Sequence, residues 1–233
     1  MKLLRHILKY MALAFGSALG LMMQSVIGLF IVTRGNHTVP ATVEGDPSLP
    51  RVTLDGVTFH AETFGDPADP VVVVVHGGPG GDYGYLLNLH ALSDEYFVVF
   101  YDQRGAGLSP RVPADELSLR SSVDDLQRLV THFGRGEPVR LSGHSWGAML
   151  AAAYVAQHPD RVSQAVLAEP GALDNAGLAR FRERQTGAQG FAYYRLLAPT
   201  IFEAFRVDGP DADARMDYIF GKMSANFVNT AAS

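Results

Sequence analysis

No cysteine occurs anywhere in the chain, so a disulfide framework, a thiolate metal site and a cysteine nucleophile are all excluded. Any side-chain nucleophile must therefore be an oxygen. Basic residues are also outnumbered: 19 Lys and Arg stand against 24 Asp and Glu, for a net charge of -5. Outside the extreme N-terminus they do not cluster. Phosphate backbones need clustered cations, so the sequence calls for no nucleic-acid partner. The glycine-rich stretch at 76–80 lacks the Lys-Ser/Thr ending of a phosphate loop, and the His, Asp and Glu residues are scattered without metal-ligand spacing. No cofactor and no metal are expected. Internal repeats and low-complexity tracts are missing as well.

Charge is absent from Tyr10 to Val32, YMALAFGSALGLMMQSVIGLFIV. At a rise of about 1.5 Å per residue, a helix of this length spans a hydrocarbon core of about 30 Å. Lys2, Arg5 and Lys9 precede the run and only Arg34 follows it closely. That bias places the N-terminus in the cytoplasm. The expected layout is a cytoplasmic basic segment at 1–9, a transmembrane signal anchor at 10–32 and a catalytic domain on the periplasmic or extracellular side. The alternative is a secreted protein whose signal peptide has been cleaved. It is disfavoured because the apolar run exceeds the usual ~7 to 15 residues and Val39-Pro40-Ala41 is a distant, poor cleavage site.

With 233 residues and 47% hydrophobic content, the chain has room for an anchor and one domain of ordinary size. Residues 33–50 are rich in Pro, Gly, Thr and Asp without an apolar period, and read as a linker. Alternation around Asp55-Gly56 then predicts a hairpin. Val71 to Val75, Tyr96 to Tyr101, Val139 to Ser142 and Val162 to Ala168 are apolar runs of the kind found in parallel strands buried on both faces. Helices are predicted between them at 83–95, 119–133 and 146–158, with Gly134 as the stop of the second. The expected core is thus 51–170, a mostly parallel sheet covered by helices, with chemistry in the loops after the strands. Residues 171–233 read as short amphipathic helices forming an incomplete helical cap.

Gly143-His144-Ser145-Trp146-Gly147 lies between the strand VRLS and the helix WGAMLAAAYVAQ. A G-x-S-x-G sequence at a strand-to-helix junction forms a nucleophile elbow, with the serine on a strained turn. Neighbouring side chains must be small there, hence Gly143 and Gly147. The bland reading of Ser145 is a helix N-cap, but a cap needs no flanking glycines. The Trp146 N–H at the helix N-terminus is placed to contact a tetrahedral oxyanion. His76-Gly77-Gly78-Pro79-Gly80 follows the strand VVVVV directly. Its glycines let backbone N–H groups turn toward a ligand, as an oxyanion hole requires; Gly78 is the first candidate donor and Gly77 the second.

HGGPG at 76–80, DQRGAGLS at 102–109, GHSWG at 143–147 and HPDRV at 158–162 occur in this order. The stretch from about Val52 to Pro170 thereby resembles α/β-hydrolases of the prolyl aminopeptidase (proline iminopeptidase) group. The resemblance implies the α/β-hydrolase fold with a helical cap, Ser145 as the nucleophile and the HGGPG loop as part of the oxyanion hole. It also implies a short-peptide or small-molecule substrate. Members of the group remove an N-terminal proline or other small residue, and close relatives cleave esters or amides.

Asp102 lies after the fourth strand, which is wrong for the chain order Ser, then Asp or Glu, then His. It reads as part of a structural loop in which Arg104 pairs nearby carboxylates or carbonyls. Glu169, at the end of the sixth strand, is a weak candidate acid. Of the eight histidines, at 6, 37, 60, 76, 90, 132, 144 and 158, only His158 follows Ser145. It sits at the far end of the helix that begins at the serine. His144 adjoins the serine but points elsewhere, His76 reads as a brace, and His60 and His90 read as ordinary. In the cap, Phe181, Tyr193, Tyr194, Phe202, Phe205, Tyr218 and Phe220 could line a pocket, and Glu183 or Glu203 could receive a substrate amine.

A serine hydroxyl needs a base, and the base an orienting carboxylate. Neither is evident. The expectation is therefore a serine hydrolase sequence from which the last strands and their helices are missing, with little activity alone. The competing reading is a non-catalytic, membrane-tethered binding protein built on the same fold.

Overall fold

The computed structural model describes residues 2–35, 37, 39–171, 176–177, 179–180, 191–207, 215–216, 218–219 and 222. It divides into two compact units, one of Met1–Val39 with Gln189–Ser233 and one of Pro40–Ala188.

The second unit holds a six-stranded sheet in the order β1-β2-β4-β3-β5-β6. β1 (Arg51–Leu54) and β2 (Val57–Phe64) form the expected hairpin. Asp55 and Gly56 turn it with φ of 49° and 80°, the positive values a two-residue turn of matching twist requires. β2 pairs antiparallel with β4 (Phe97–Tyr101), while β3 (Val71–Val75), β4, β5 (Val139–His144) and β6 (Val162–Ala168) run parallel. α2 (Leu119–Gly134) and α3 (Trp146–Gln157) cover one face.

The all-valine β3 shows why the apolar runs lack alternation. Val71, Val73 and Val75 pack with Leu126, Leu129, Leu150 and Tyr154. Val72 and Val74 point the other way, onto Tyr83, Phe100, Leu86 and Leu87. Both faces are covered, so every position gains from an apolar side chain, each burial being worth about 1.5–3 kcal/mol.

Three local expectations need correction. The segment predicted as a helix at 83–95 is a 3-10 helix, Gly84–Asp94. Leu86 and Leu89 recur at the three-residue turn of that geometry, and both pack against the second cluster. Helix α2 ends at Gly134, the expected stop, where a side chain would come within 2.9 Å of Val139. The left-handed cap falls on Arg135 (φ 52°), followed by Gly136 (φ 97°). The stretch read as linker, 33–50, is not free throughout. Val43 is fully buried and its N–H reaches Leu108 O at 2.9 Å, a contact no apolar period announces. Finally, β6 is not buried on both faces: it ends the described sheet, with Val166 62% and Leu167 39% exposed.

In the other unit, α1 (Lys2–Val32) contains Lys9–Val32, a stretch long and apolar enough to cross a membrane, with mean hydropathy 1.9. α4 (Phe191–Ala204) carries Glu203, which accepts a hydrogen bond from the Tyr218 hydroxyl (2.9 Å) and an ion pair from Lys222. Tyr194 and Phe205 are exposed. Of the cap residues named from sequence, Phe181, Glu183, Phe220 and the side chain of Tyr193 lie outside the described residues.

The loop after β4 is held by a buried carboxylate. Asp102 accepts His60 Nδ1 (2.8 Å) and Leu108 N (2.8 Å) on Oδ2, and Tyr83 N (3.1 Å) on Oδ1. His60 stacks on Tyr83 with ring centroids 5.2 Å apart, so it is a structural partner of this loop rather than an ordinary strand residue. Arg104 grips Asp125 through Nε (2.8 Å) and Nη2 (2.7 Å), the bidentate pairing expected of that position. Gly107 closes the cradle: with φ of 53°, a side chain there would stand 2.2 Å from the Asp102 carboxyl carbon. Gly136, φ 97°, has nothing within 4 Å of such a side chain. Gly136→Ala should therefore lose only the backbone term, about 1 kcal/mol, and Gly107→Ala on the order of 3 kcal/mol by urea denaturation. Equal losses at the two positions would show that Asp102 is not confined as described.

Candidate active site

β5 ends in His144 and α3 starts at Trp146, leaving Ser145 as the junction. Its backbone is at φ 52°, ψ -118°, an unfavourable conformation for a residue with a side chain. Surrounding contacts hold it there: Ser145 N donates to Ala168 O at 2.9 Å, and Met149 N returns to Ser145 O at 3.2 Å. The Ser145 hydroxyl does not cap α3. The flanking glycines are sterically required. A side chain on Gly147 would fall 2.0 Å from Val75 O, and one on Gly143 would fall 2.5 Å from Gly147 O. The sharp turn expected from G-x-S-x-G is thus present.

The HGGPG loop leaves β3 next to this elbow. A side chain on Gly77 would lie 3.2 Å from Ser145 Cβ, 3.2 Å from His144 Nδ1 and 2.8 Å from Tyr85 Oη. Gly78 has φ 129°, and no acceptor is found for its N–H among the described residues. The Trp146 N–H, in the first turn of α3, has no acceptor within its own helix. Gly77 differs from both, because its N–H is donated to Tyr85 Oη at 2.6 Å. Gly77, expected as the second oxyanion donor, thus has its amide engaged by Tyr85.

Two neighbours escaped the sequence reading. Gln103 ties the two halves of the site together. It donates its own N–H to His76 Nε2 (2.9 Å) and its side-chain amide to His76 O (2.8 Å), and it accepts the Trp146 indole N–H at 3.0 Å. Because His76 Nε2 accepts, its proton sits on Nδ1, which donates to Gly77 O at 2.7 Å. His76 is fully buried, and desolvation lowers its pKa, opposed by the nearby Asp102 charge. It is a neutral brace for the loop, as its position suggested. The second neighbour is Tyr85, whose hydroxyl also meets His144 Nδ1 at 2.8 Å. Burial pushes that phenol up from its ordinary value.

Glu169 also stands near the elbow. It follows β6 with φ 44°, and its carboxylate is 3.9 Å from His144 Nε2. None of the histidines is hydrogen-bonded to Ser145 among the described residues. His60 is held by Asp102, His76 by Gln103, His90 by Leu87 O, and His144 by Tyr85. His158 lies at the end of α3, about 20 Å along the helix from the serine. The geometry can present a serine oxygen and two backbone donors to a carbonyl group. Among the described residues it brings no histidine to them.

Residues 70–203 match the α/β hydrolase fold family, and the chain belongs to that family. It is 38% identical over 132 residues to a proline iminopeptidase of Arabidopsis thaliana, a match covering 56% of this chain and 34% of that protein. It is 34% identical over 110 residues to a cis-3-alkyl-4-alkyloxetan-2-one decarboxylase of Xanthomonas campestris pv. campestris, covering 44% of this chain and 37% of the relative. The crystal structure of a proline iminopeptidase from Mycobacterium smegmatis superposes with a TM-score of 0.51 at 24% identity, over 78% of this chain and 69% of that one. That likeness is one of fold. The chain matches little more than a third of the length of these curated relatives.

The buried neutral His76 has a consequence for stability. Its ordinary pKa is 6.5 and its folded value is lower, so below about pH 6.5 the unfolded chain binds a proton that the folded chain refuses. This contribution is complete above that pH and is lost on acidification. Denaturation midpoints should be level above about pH 7 and fall below about pH 6.5, with a shallower fall in His76→Gln. A His76→Gln profile as steep as the parent's would contradict the assignment.

Proposed function

We propose that this chain carries the nucleophile and oxyanion hole of a serine hydrolase acting by acyl transfer on a peptide N-terminus, amide or ester. The observation that carries the reading is the strained Ser145, held at φ 52° beside the Gly77-Gly78 loop. A binding surface gains nothing from that strain, whereas an attacking oxygen must be raised clear of its own helix.

In this scheme Ser145 Oγ attacks the substrate carbonyl carbon, and the carbonyl oxygen becomes an oxyanion. The Gly78 and Trp146 N–H groups receive it. A donor of this kind is worth about 10² to 10³ in turnover, because it is already aimed before the charge develops. Collapse of the intermediate expels the amine or alcohol and leaves an acyl group on Ser145, which water then removes. The proton taken from Ser145 needs an acceptor. Every histidine of the chain is placed, and none bonds to the serine, so the base and its carboxylate partner are assigned to a segment outside this sequence. The partial match to longer relatives supports that assignment.

The proline iminopeptidase named among the relatives favours a small N-terminal residue as the acyl group. Glu203 is a poorer amine receptor than the sequence suggested, since Lys222 and Tyr218 already occupy it. The apolar helix Lys9–Val32 supports a single-pass anchor with the hydrolase domain outside the cytoplasm.

Fluorophosphonate labelling mapped to the Ser145 peptide tests the chemistry. Labelling of the purified chain should be slow, rise with added imidazole as a surrogate base, and vanish in Ser145→Ala. No labelling of Ser145 even with imidazole would favour the non-catalytic binding reading. Fast labelling without imidazole would reveal a base within the chain. Membrane attachment is tested separately: the chain should stay in the pellet after alkaline carbonate extraction, and release into the supernatant would exclude a spanning anchor.

A further inference from the structure

The Gly77 amide is the odd member of the oxyanion loop. It lies beside Ser145, yet it points to a side chain, at 2.6 Å from Tyr85 Oη. The same hydroxyl touches His144 Nδ1 at 2.8 Å, and the two rings meet edge to face with centroids 5.4 Å apart. The Gly77 bond has one possible direction, and that of the His144 bond follows the imidazole tautomer. Tyr85 Oη accepts the Gly77 N–H with a lone pair, and in the Nε2-protonated tautomer of His144 its own proton goes to His144 Nδ1. His144 then accepts at Nδ1 and carries its proton on Nε2, the atom that faces Glu169 Oε2 at 3.9 Å. Tyr85 thus bridges the first residue of the glycine loop and the residue preceding the nucleophile.

We infer that Tyr85 is a positioning residue of the oxyanion hole. Its hydroxyl draws the Gly77 amide away from Ser145 and pins the loop to His144, which leaves Gly78 and Trp146 as the donors facing the developing charge. The inference rests on Ser145 being the nucleophile. Two features make the clamp specific. The space between Gly77, Tyr85 and Ser145 is too tight for a side chain on the glycine. The bond also lies within the loop that must hold its donors still, where a displacement of about 1 Å can cost a hundredfold.

The hydrogen bond can be observed without any turnover. His76-Gly77 is the only His-Gly step in the chain, so protein made with carbonyl-13C histidine and 15N glycine gives a single carbonyl-to-amide correlation, from the Gly77 N–H. In the full chain in detergent micelles, Tyr85→Phe should move that amide proton upfield and speed its solvent exchange about fivefold or more. The same variant should weaken the tetrahedral adduct of Ser145 with phenylboronic acid about tenfold to a hundredfold. Its thermal midpoint should stay near the parent's. His144→Ala, which removes the acceptor of the Tyr85 proton, should shift both readouts in the same direction by a smaller factor.

An unchanged Gly77 signal in Tyr85→Phe overturns the inference. So does a shifted signal with unchanged boronate affinity, because the contact would then be structural only. If Tyr85→Phe does not fold, the His144→Ala variant decides on the same two readouts. A parent chain that forms no boronate adduct sinks the nucleophile reading instead, while the Gly77 signal still reports whether the Tyr85 contact exists.

Discussion

The close approach of α3 to the end of β3 is the constraint on which the other features of the site depend. Gly147 passes so near Val75 O that a methyl group would stand 2.0 Å from it. This contact brings the strand that precedes the glycine loop against the helix that follows Ser145. It also forces the serine into a left-handed turn, because β5 must reverse into α3 without side chains at Gly143 or Gly147. A chain without those glycines would have to separate the helix from the strand. The HGGPG loop would then lose its place beside Ser145.

Around that approach the polar groups are arranged to keep two amides unoccupied. His76, neutral and buried, receives Gln103 N and holds Gly77 O, while the Gln103 side chain reaches across to the Trp146 indole. Tyr85 occupies the Gly77 N–H. Among the described residues the Gly78 and Trp146 amides have no such partners, and Trp146 lies at a helix N-terminus, where negative charge is favoured. The neighbouring Asp102 carboxylate is engaged by His60, Tyr83 and Leu108. It therefore shapes the loop without being free to orient a catalytic base. Among the described residues the site places two unpartnered amides near Ser145 and no histidine hydrogen-bonded to its hydroxyl.

The sequence disclosed those features that depend on a few adjacent residues. Asp55-Gly56, Gly143 to Gly147 and the HGGPG loop could be read because turn chemistry and glycine sterics act locally. The valine run of β3 could be read because both sheet faces bury it. Hidden features depend on pairs remote in the chain: Tyr85 with His144, Gln103 with Trp146, and His60 with Asp102. No local pattern distinguishes a tyrosine that will accept the Gly77 amide from one that packs in a core. The exposed flank of β6 (Val166 62% exposed) is hidden from the sequence for a related reason. Its composition records a strand meant to be covered, whereas its actual surroundings depend on elements elsewhere.

On the proposed reading Ser145 is a nucleophile with an oxyanion hole but no base among the described residues. Such a site should accept an activated acyl group and then fail to release it, since deacylation needs water activated by a base. The most direct measurement is intact-mass analysis of the chain after exposure to a 4-nitrophenyl ester, followed by peptide mapping. The predicted result is one acyl group, located on Ser145, that persists after excess ester is removed. Rapid ester turnover without an accumulating adduct, or acylation confined to other residues, would contradict it.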